Sequence, residues 1–188
     1  MKIFLLALAF CAAAFSAQAV ELADIENYLN NIKTLEADFR QITPEQNLVT
    51  YGDFYWQRPG QFRWRYTPPE GPELIGNTNG WFFNDPHGTV TQLPRGAGWA
   101  GFLTQSTFDF NAPDLPFQVA SVARVEGGVE LTLAPRETQE TTPLGVQKLT
   151  LGFSVEPVAL RRLITVDELG QRTAVLFEDI SSSEREAF

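Results

Sequence analysis

The spacing of hydrophobic residues along this chain changes period once, and the change separates a short helical lead from a long run of strands. Leu22, Ile25, Leu29 and Ile32 recur at steps of three and four, which places one apolar stripe on a helix from about Glu21 to Ile32. From Leu35 the step is two: Leu35, Ala37 and Phe39 alternate with Glu36, Asp38 and Arg40, so the helix runs straight into a first strand. Phe54 and Trp56 precede an Arg58-Pro59-Gly60 break, and Phe62, Trp64 and Tyr66 follow it. This predicts a β-hairpin with those rings on one face and Arg63 and Arg65 on the other, because successive strand side chains take opposite faces. Pro59 supplies a fixed φ and Gly60 a permissive one for the tight connection.

Later segments repeat the theme. Trp81-Phe82-Phe83 reads as a buried strand, and Gly127-Gly128 predicts a hairpin turn ahead of Leu131 and Leu133. Leu149, Leu151, Phe153 and Val155 alternate strictly, and Asp167-Glu168-Leu169-Gly170 predicts another turn before Val175 and Phe177. The expected architecture is a β-meander with a leading helix. Between Leu93 and Pro116 the alternation fails, and flexible glycines mix with Trp99, Phe102 and Leu103. That segment is either a mobile apolar flap or an irregular loop tucked over the core. Thr138 to Pro143 reads as a solvated loop. The aromatic face of the hairpin also has two readings, an ordinary core or the wall of an apolar ligand cavity.

The N-terminus bears on the compartment. Lys2, the apolar run Ile3 to Phe15 and the small-x-small pattern Ala17-Gln18-Ala19 predict a secretory leader over residues 1–19, with the mature chain starting at Val20. Cys11 lies inside the apolar run and follows the bulky Phe10, so no lipid-anchoring cleavage site is expected. Removing 19 of 188 residues leaves 169, one domain of ordinary size over residues 20–188. No cysteine remains in that portion, which excludes disulfides and thiolate metal sites there. Thirteen Lys and Arg then face 23 Asp and Glu, and a formal charge of −10 speaks against wrapping nucleic acid or docking on anionic lipid.

Catalytic chemistry finds little to build on. The lone histidine, His87, sits in the turn-forming run Asn84-Asp85-Pro86-His87-Gly88, where a loop residue is expected rather than a general base. One histidine without cysteines cannot supply the three or four converging ligands of a zinc or iron site. Glu36/Asp38 and Asp167/Glu168 fall at strand and turn positions that suit a solvated face or a turn. There is no Gly-x-Gly-x-x-Gly and no phosphate loop. The expectation is a protein that is not an enzyme and carries neither cofactor nor metal.

The ordered series Gly52-x-Phe54-x-Trp56-x-Arg58-Pro59-Gly60-x-Phe62-Arg63-Trp64, then Pro68-Pro69, Leu74-Ile75, Trp81-Phe82-Phe83-x-x-Pro86 and Val90-Thr91, resembles the periplasmic outer-membrane lipoprotein carrier family, LolA. The likeness extends back through Leu35-Glu36-Ala37-Asp38-Phe39-Arg40-Gln41 and forward through the turn Asp167-x-x-Gly170-Gln171. It implies an α+β, mostly β fold: an incomplete, half-open antiparallel β-barrel closed by an N-terminal helix and a helical or loop lid over an apolar cavity. It implies a periplasmic carrier that binds the acyl chains of lipoproteins. Its partners would be acylated lipoproteins, the inner-membrane ABC transporter that releases them and an outer-membrane lipoprotein receptor, with the carrier itself a monomer.

By the same resemblance Arg58 and Leu29 form the lid latch and Phe62 contacts the acyl chains, with Trp64 on its face. The alternation adds Phe39, Phe54, Trp56 and Tyr66 as candidates for the same cavity, and the irregular segment offers Trp99, Phe102 and Leu103 as the lid. Two departures stand out: the turn Gly76-Asn77-Thr78-Asn79-Gly80 replaces the family's Ser-Asp-Gly, and the last strand is followed closely by Phe188 without the usual closing Pro-rich strand. Two other classes remain beside the carrier. One is a periplasmic lipid- or lipoprotein-binding sensor or adaptor, or a specialised carrier paralogue for another lipid-linked product; the other is a hydrolase of lipids or glycans, for which no constellation speaks.

Overall fold

The step-two alternation becomes one antiparallel sheet of eleven strands in a computed structural model, which describes residues 20–67, 71–94, 98–113, 115–136 and 146–181. The leader over residues 1–19 with Cys11, the Pro68-Pro69 pair, the loop from Thr138 to Pro143 and the segment after Ser181 lie outside the described residues.

Helix α1 spans Leu22–Asn31 and buries Ile25 and Leu29, with Leu22 and Ile32 partly covered. The Asp24 carboxylate accepts the Glu21 N–H at 2.9 Å, which satisfies one of the donors a helix start leaves open. The strands follow as β1 Thr34–Thr43, β2 Leu48–Gln57, β3 Gln61–Thr67, β4 Glu73–Asn77, β5 Gly80–Asn84 and β6 Val90–Leu93. After a 3-10 segment at Gly98–Thr104 come β7 Phe117–Val125, β8 Gly128–Pro135, β9 Val146–Val155, β10 Val158–Asp167 and β11 Arg172–Ser181. Strand order is β6-β5-β4-β3-β2-β1-β11-β10-β9-β8-β7, so the chain builds one wing outward from β1, crosses over, and builds the other wing back to β11. The sheet does not close into a barrel: β6 and β7 stand at its two edges.

Register explains how large rings share one face. Phe62 on β3 lies opposite Gly76 on β4, which lies opposite Trp81 on β5. The Phe62 ring passes over the glycine and meets Trp81 edge-on at 5.3 Å. Phe39 likewise crosses Gly52 to reach Tyr66 at 5.3 Å, two strands away. A Cβ on Gly76 would lie 2.1 Å from Phe62 Cε1, and one on Gly52 would lie 2.4 Å from Phe39 Cζ. Substituting Gly76 by valine is therefore expected to cost roughly 1–3 kcal/mol by forcing Phe62 off its position, read as a lower urea midpoint with an unchanged slope. An unaltered midpoint would show that the ring does not lie over the glycine.

The opposite face is wet. Arg63 pairs with Glu73, Arg65 with Asp53 at 2.8 Å and Arg162 with Glu130 at 2.6 Å, all partly exposed and each worth at most about 1 kcal/mol. Turn readings hold where side chains close them: Asp167 Oδ1 accepts the N–H of Leu169 and of Gln171, and Asp85 Oδ1 accepts those of His87 and Thr89. Gly60 has φ 74°, the left-handed value its place after Pro59 demanded.

One burial expectation fails in part: in the Trp81-Phe82-Phe83 run Trp81 is buried, while Phe83 is 37 % exposed. Val155 keeps the alternation of β9 and is 39 % exposed. Parity assigns a side chain to a face and says nothing of how far the cover extends.

Candidate functional site

The covered face of the sheet is an aromatic floor. Trp64 is its centre, with Phe39 at 4.4 Å, Phe54 at 5.0 Å, Phe177 at 6.0 Å and Trp99 at 5.1 Å between ring centroids. Most of these approaches are tilted or edge-on, the geometry that ring quadrupoles favour. Phe39, Phe54, Trp56, Phe62 and Trp64 are all buried there together. Tyr66 packs at the margin of the same core, against Phe39. It is half-buried, its phenol donates to Gln41 Oε1 at 2.9 Å, and burial raises its pKa above the ordinary tyrosine value.

The segment whose alternation failed in the sequence covers this floor. Ala100, Phe102 and Leu103 are buried within the Gly98–Thr104 turn, and Trp99, half-buried, lies on Trp64. In this structure the segment is packed over the core. Past it, Phe108 and Phe110 are also buried, and Phe108 stacks on Phe102 at 4.6 Å and meets Trp56 at 6.2 Å. Among the described residues, strand pairing does not hold this cover. The described ties are side-chain hydrogen bonds: Trp56 Nε1 donates to the Leu103 carbonyl at 2.9 Å, Asn30 Nδ2 donates to the Phe108 carbonyl at 2.8 Å, Asn30 Oδ1 accepts the Phe108 N–H at 2.8 Å, and Glu26 Oε1 accepts the Phe110 N–H at 2.8 Å.

Arg58 stands where helix, hairpin and cover meet. The last turn of α1 contains no basic residue, so its carbonyls lack a cation of their own. Arg58 brings one from the hairpin turn, and its backbone N–H donates to the Lys33 carbonyl at 2.9 Å. Its Nη1 donates to the Leu29 carbonyl. Nη2 donates to the Ser106 carbonyl at 2.6 Å and makes longer contacts of 3.5 Å to the Gln105 carbonyl and Asn30 Oδ1. The guanidinium lies 4.9 Å above the Phe108 ring and 6.0 Å from that of Trp56, in reach of cation–π attraction. Burial pulls its pKa below the ordinary arginine value, since desolvation penalises the charged form. Its partners among the described residues are neutral carbonyls, an amide oxygen and rings, so these hold the group by dipoles.

The structure joins Arg58 to Leu29 through the backbone carbonyl of Leu29, while the Leu29 side chain is buried in the core. It adds residues the sequence reading left out: Glu26, Asn30, Ser106, Phe108 and Phe110. Phe108 and Phe110 carried a local sign, a spacing of two inside the irregular stretch. Asn30 carried another, a side chain that competes with the backbone for hydrogen bonds near a helix end. What the arrangement can do chemically is bounded by its makeup: apolar rings, backbone carbonyls and one cation suit holding an apolar body and fastening a cover.

Comparison with known proteins agrees in kind. The family described as "Outer membrane lipoprotein carrier protein LolA" matches residues 30–187. A protein of Nitrosomonas europaea named outer-membrane lipoprotein carrier protein is 26 % identical over 194 residues, covering 96 % of this chain and 88 % of its own. One of the same name from Nitrosospira multiformis is 24 % identical over 172 residues, covering 89 % and 81 %. Among solved structures, an uncharacterised conserved protein of Thermus thermophilus superposes with a TM-score of 0.50 at 10 % identity, covering 88 % of this chain and 86 % of that one. That likeness concerns the fold alone.

Proposed function

We propose, since this chain belongs to the LolA family of outer membrane lipoprotein carrier proteins, that it is a periplasmic carrier for the acyl chains of lipoproteins. It receives them from the inner-membrane transporter and hands them to an outer-membrane receptor, and residues 1–19 serve as its secretory leader. The sheet acts as a half-open barrel, and α1 with segment 98–110 acts as the lid. The observation that carries the proposal is the cover over the aromatic floor, fastened by side-chain bonds from Arg58, Trp56, Asn30 and Glu26 rather than by strand pairing. Such bonds can be released without dismantling the sheet.

Magnitudes favour a cover of this kind. Burying a methylene is worth about 0.8 kcal/mol, so an acyl chain of roughly fifteen methylenes prefers an apolar site to water by on the order of 12 kcal/mol. A carrier that kept this full gain would never unload. Trp99, Phe102 and Leu103 occupy the floor when cargo is absent, and each buried side chain of this size is worth roughly 1.5–3 kcal/mol. Closing the empty lid therefore offsets a large part of the gain, and transfer to a partner becomes possible.

The proposal is tested by mixing the purified protein with a fluorescent anilinonaphthalene probe, and separately with inner-membrane vesicles containing acylated lipoprotein. Saturable probe binding and ATP-dependent extraction of lipoprotein are expected. Binding of lipid without onward delivery would favour a sensor or adaptor instead, and no binding of either kind would end the carrier reading.

A further inference from the structure

Two pieces of the cover, helix α1 and segment 106–110, are joined to each other by a pairing that belongs to neither secondary structure. The Asn30 amide both donates to and accepts from the backbone of Phe108, each at 2.8 Å, as a neighbouring strand would. One turn back, Glu26 accepts the Phe110 N–H at 2.8 Å. The spacings are commensurate: four helical residues advance about 6 Å and two extended residues about 6.6 Å. Glu26 and Asn30 share one helix face, so they meet Phe110 and Phe108 in antiparallel register. Arg58 then reaches both halves from the hairpin, through the Leu29 carbonyl on the helix and the Ser106 carbonyl on the segment.

We infer that Asn30 is a positioning residue which, with Glu26, fuses α1 and segment 106–110 into one body that leaves the sheet as a unit, with Arg58 fastening that unit to the hairpin. Its role as a lid rests on the carrier reading; the joining itself does not. Without Asn30 the two halves would open as separate flaps. Replacing Asn30 by alanine takes away both bonds to Phe108, and Asn30→Asp keeps the acceptor for its N–H while losing the donor to its carbonyl.

The test is hydrogen–deuterium exchange of the purified protein, read by mass spectrometry on peptides covering α1, residues 104–113 and strand β9. Arg58→Leu is expected to accelerate exchange in the first two by a common factor and to leave β9 protected. Adding Asn30→Ala is expected to break that common factor, with residues 104–113 exchanging about tenfold faster than α1, as the loss of two ordinary hydrogen bonds implies. Asn30→Asp should restore part of the coupling, which a residue needed only for stability would not do. Independent acceleration of the two peptides in Arg58→Leu alone, an unchanged ratio after Asn30→Ala, or a ratio for Asn30→Asp as large as for Asn30→Ala, overturns the inference. Should one alanine variant fail to fold, seen as exchange throughout β9, Glu26→Ala gives the same comparison at Phe110. These readings need no cargo, so failure of probe binding by the unmodified protein would count against the carrier reading and leave the joining of helix and segment standing.

Discussion

Arg58→Leu is expected to bind an apolar probe ten- to a hundredfold more tightly than the unmodified protein, to extract lipoprotein from inner-membrane vesicles normally, and to hand it to an outer-membrane receptor slowly. Leucine keeps much of the apolar bulk beside Phe108 and removes every side-chain donor. The Leu29 and Ser106 carbonyls lose their partner, and the longer contacts to Gln105 and Asn30 go as well. A hydrogen bond from a charged donor contributes about 1.5–3 kcal/mol. The guanidinium is partly exposed and water replaces some of that, so the closed, empty state is weakened by roughly 1.5–3 kcal/mol in all, which is the stated ten- to hundredfold.

The direction of this shift distinguishes a latch from a cargo contact. Weakening the closed state raises apparent affinity, because the competing state is less populated, and slows unloading by the same amount. Removing a contact to cargo would lower affinity. Arg58→Lys should fall between the two forms, since an ammonium brings a compact charge and lacks the planar fork that serves Leu29 and Ser106 together. Delivery by Arg58→Leu at the normal rate, measured with a purified receptor, would sink the latch.

Phe62→Glu carries the second large effect. Phe62 is fully buried beneath Trp81, with 0 % exposure. A carboxylate placed there has no solvent, so its pKa rises, by up to about 3–5 units for a fully buried group. The folded protein then holds a proton that the unfolded chain releases near pH 4.3, so the native state binds more protons and stability falls as pH rises from that value through the raised pKa. A shift of only two units makes the variant about 3 kcal/mol less stable at pH 8 than below pH 4, a substantial part of a typical domain's stability. Melting temperature should drop by roughly 6–12 °C over that range relative to Phe62→Gln, whose side chain does not titrate.

Function should follow the same pH dependence. Probe binding by Phe62→Glu is expected to be abolished at neutral pH and partly recovered at pH 5, where the introduced carboxyl is largely protonated and the fold is held. If the variant melts with the same pH profile as the unmodified protein, position 62 is not enclosed. If probe affinity at neutral pH is unchanged in a folded sample, Phe62 does not line the apolar site.

How much of this could be read before the structure varies by residue. Phe62 and Trp64 were legible as partners on one face because strand parity is a property of the local backbone and needs no knowledge of neighbours. Arg58 was legible as a break in an aromatic pattern, and its role came with the family resemblance. Leu29 was legible as one position of a helical apolar stripe, but its contribution to Arg58 is a carbonyl, which any residue would supply. Phe83 was misread as buried because an apolar run carries no information about where a covering element stops. The pairing of Asn30 with Phe108 was not legible at all: 78 residues separate them, and no period in the chain relates one to the other.

Residue order alone was enough to specify the leading helix, the first strand, the aromatic hairpin, several later strands and turns and the face that Phe62 and Trp64 share, because those depend on interactions within a few residues. It took the packing of whole elements to set eleven strands in one unclosed sheet, to lay the segment without a pattern over the aromatic floor, and to bring Arg58, Asn30 and Glu26 to fasten it. The physical reason is range. Backbone geometry repeats at a local period and leaves a trace in the spacing of residues, whereas a hydrogen bond between distant side chain and backbone is set by how those elements meet.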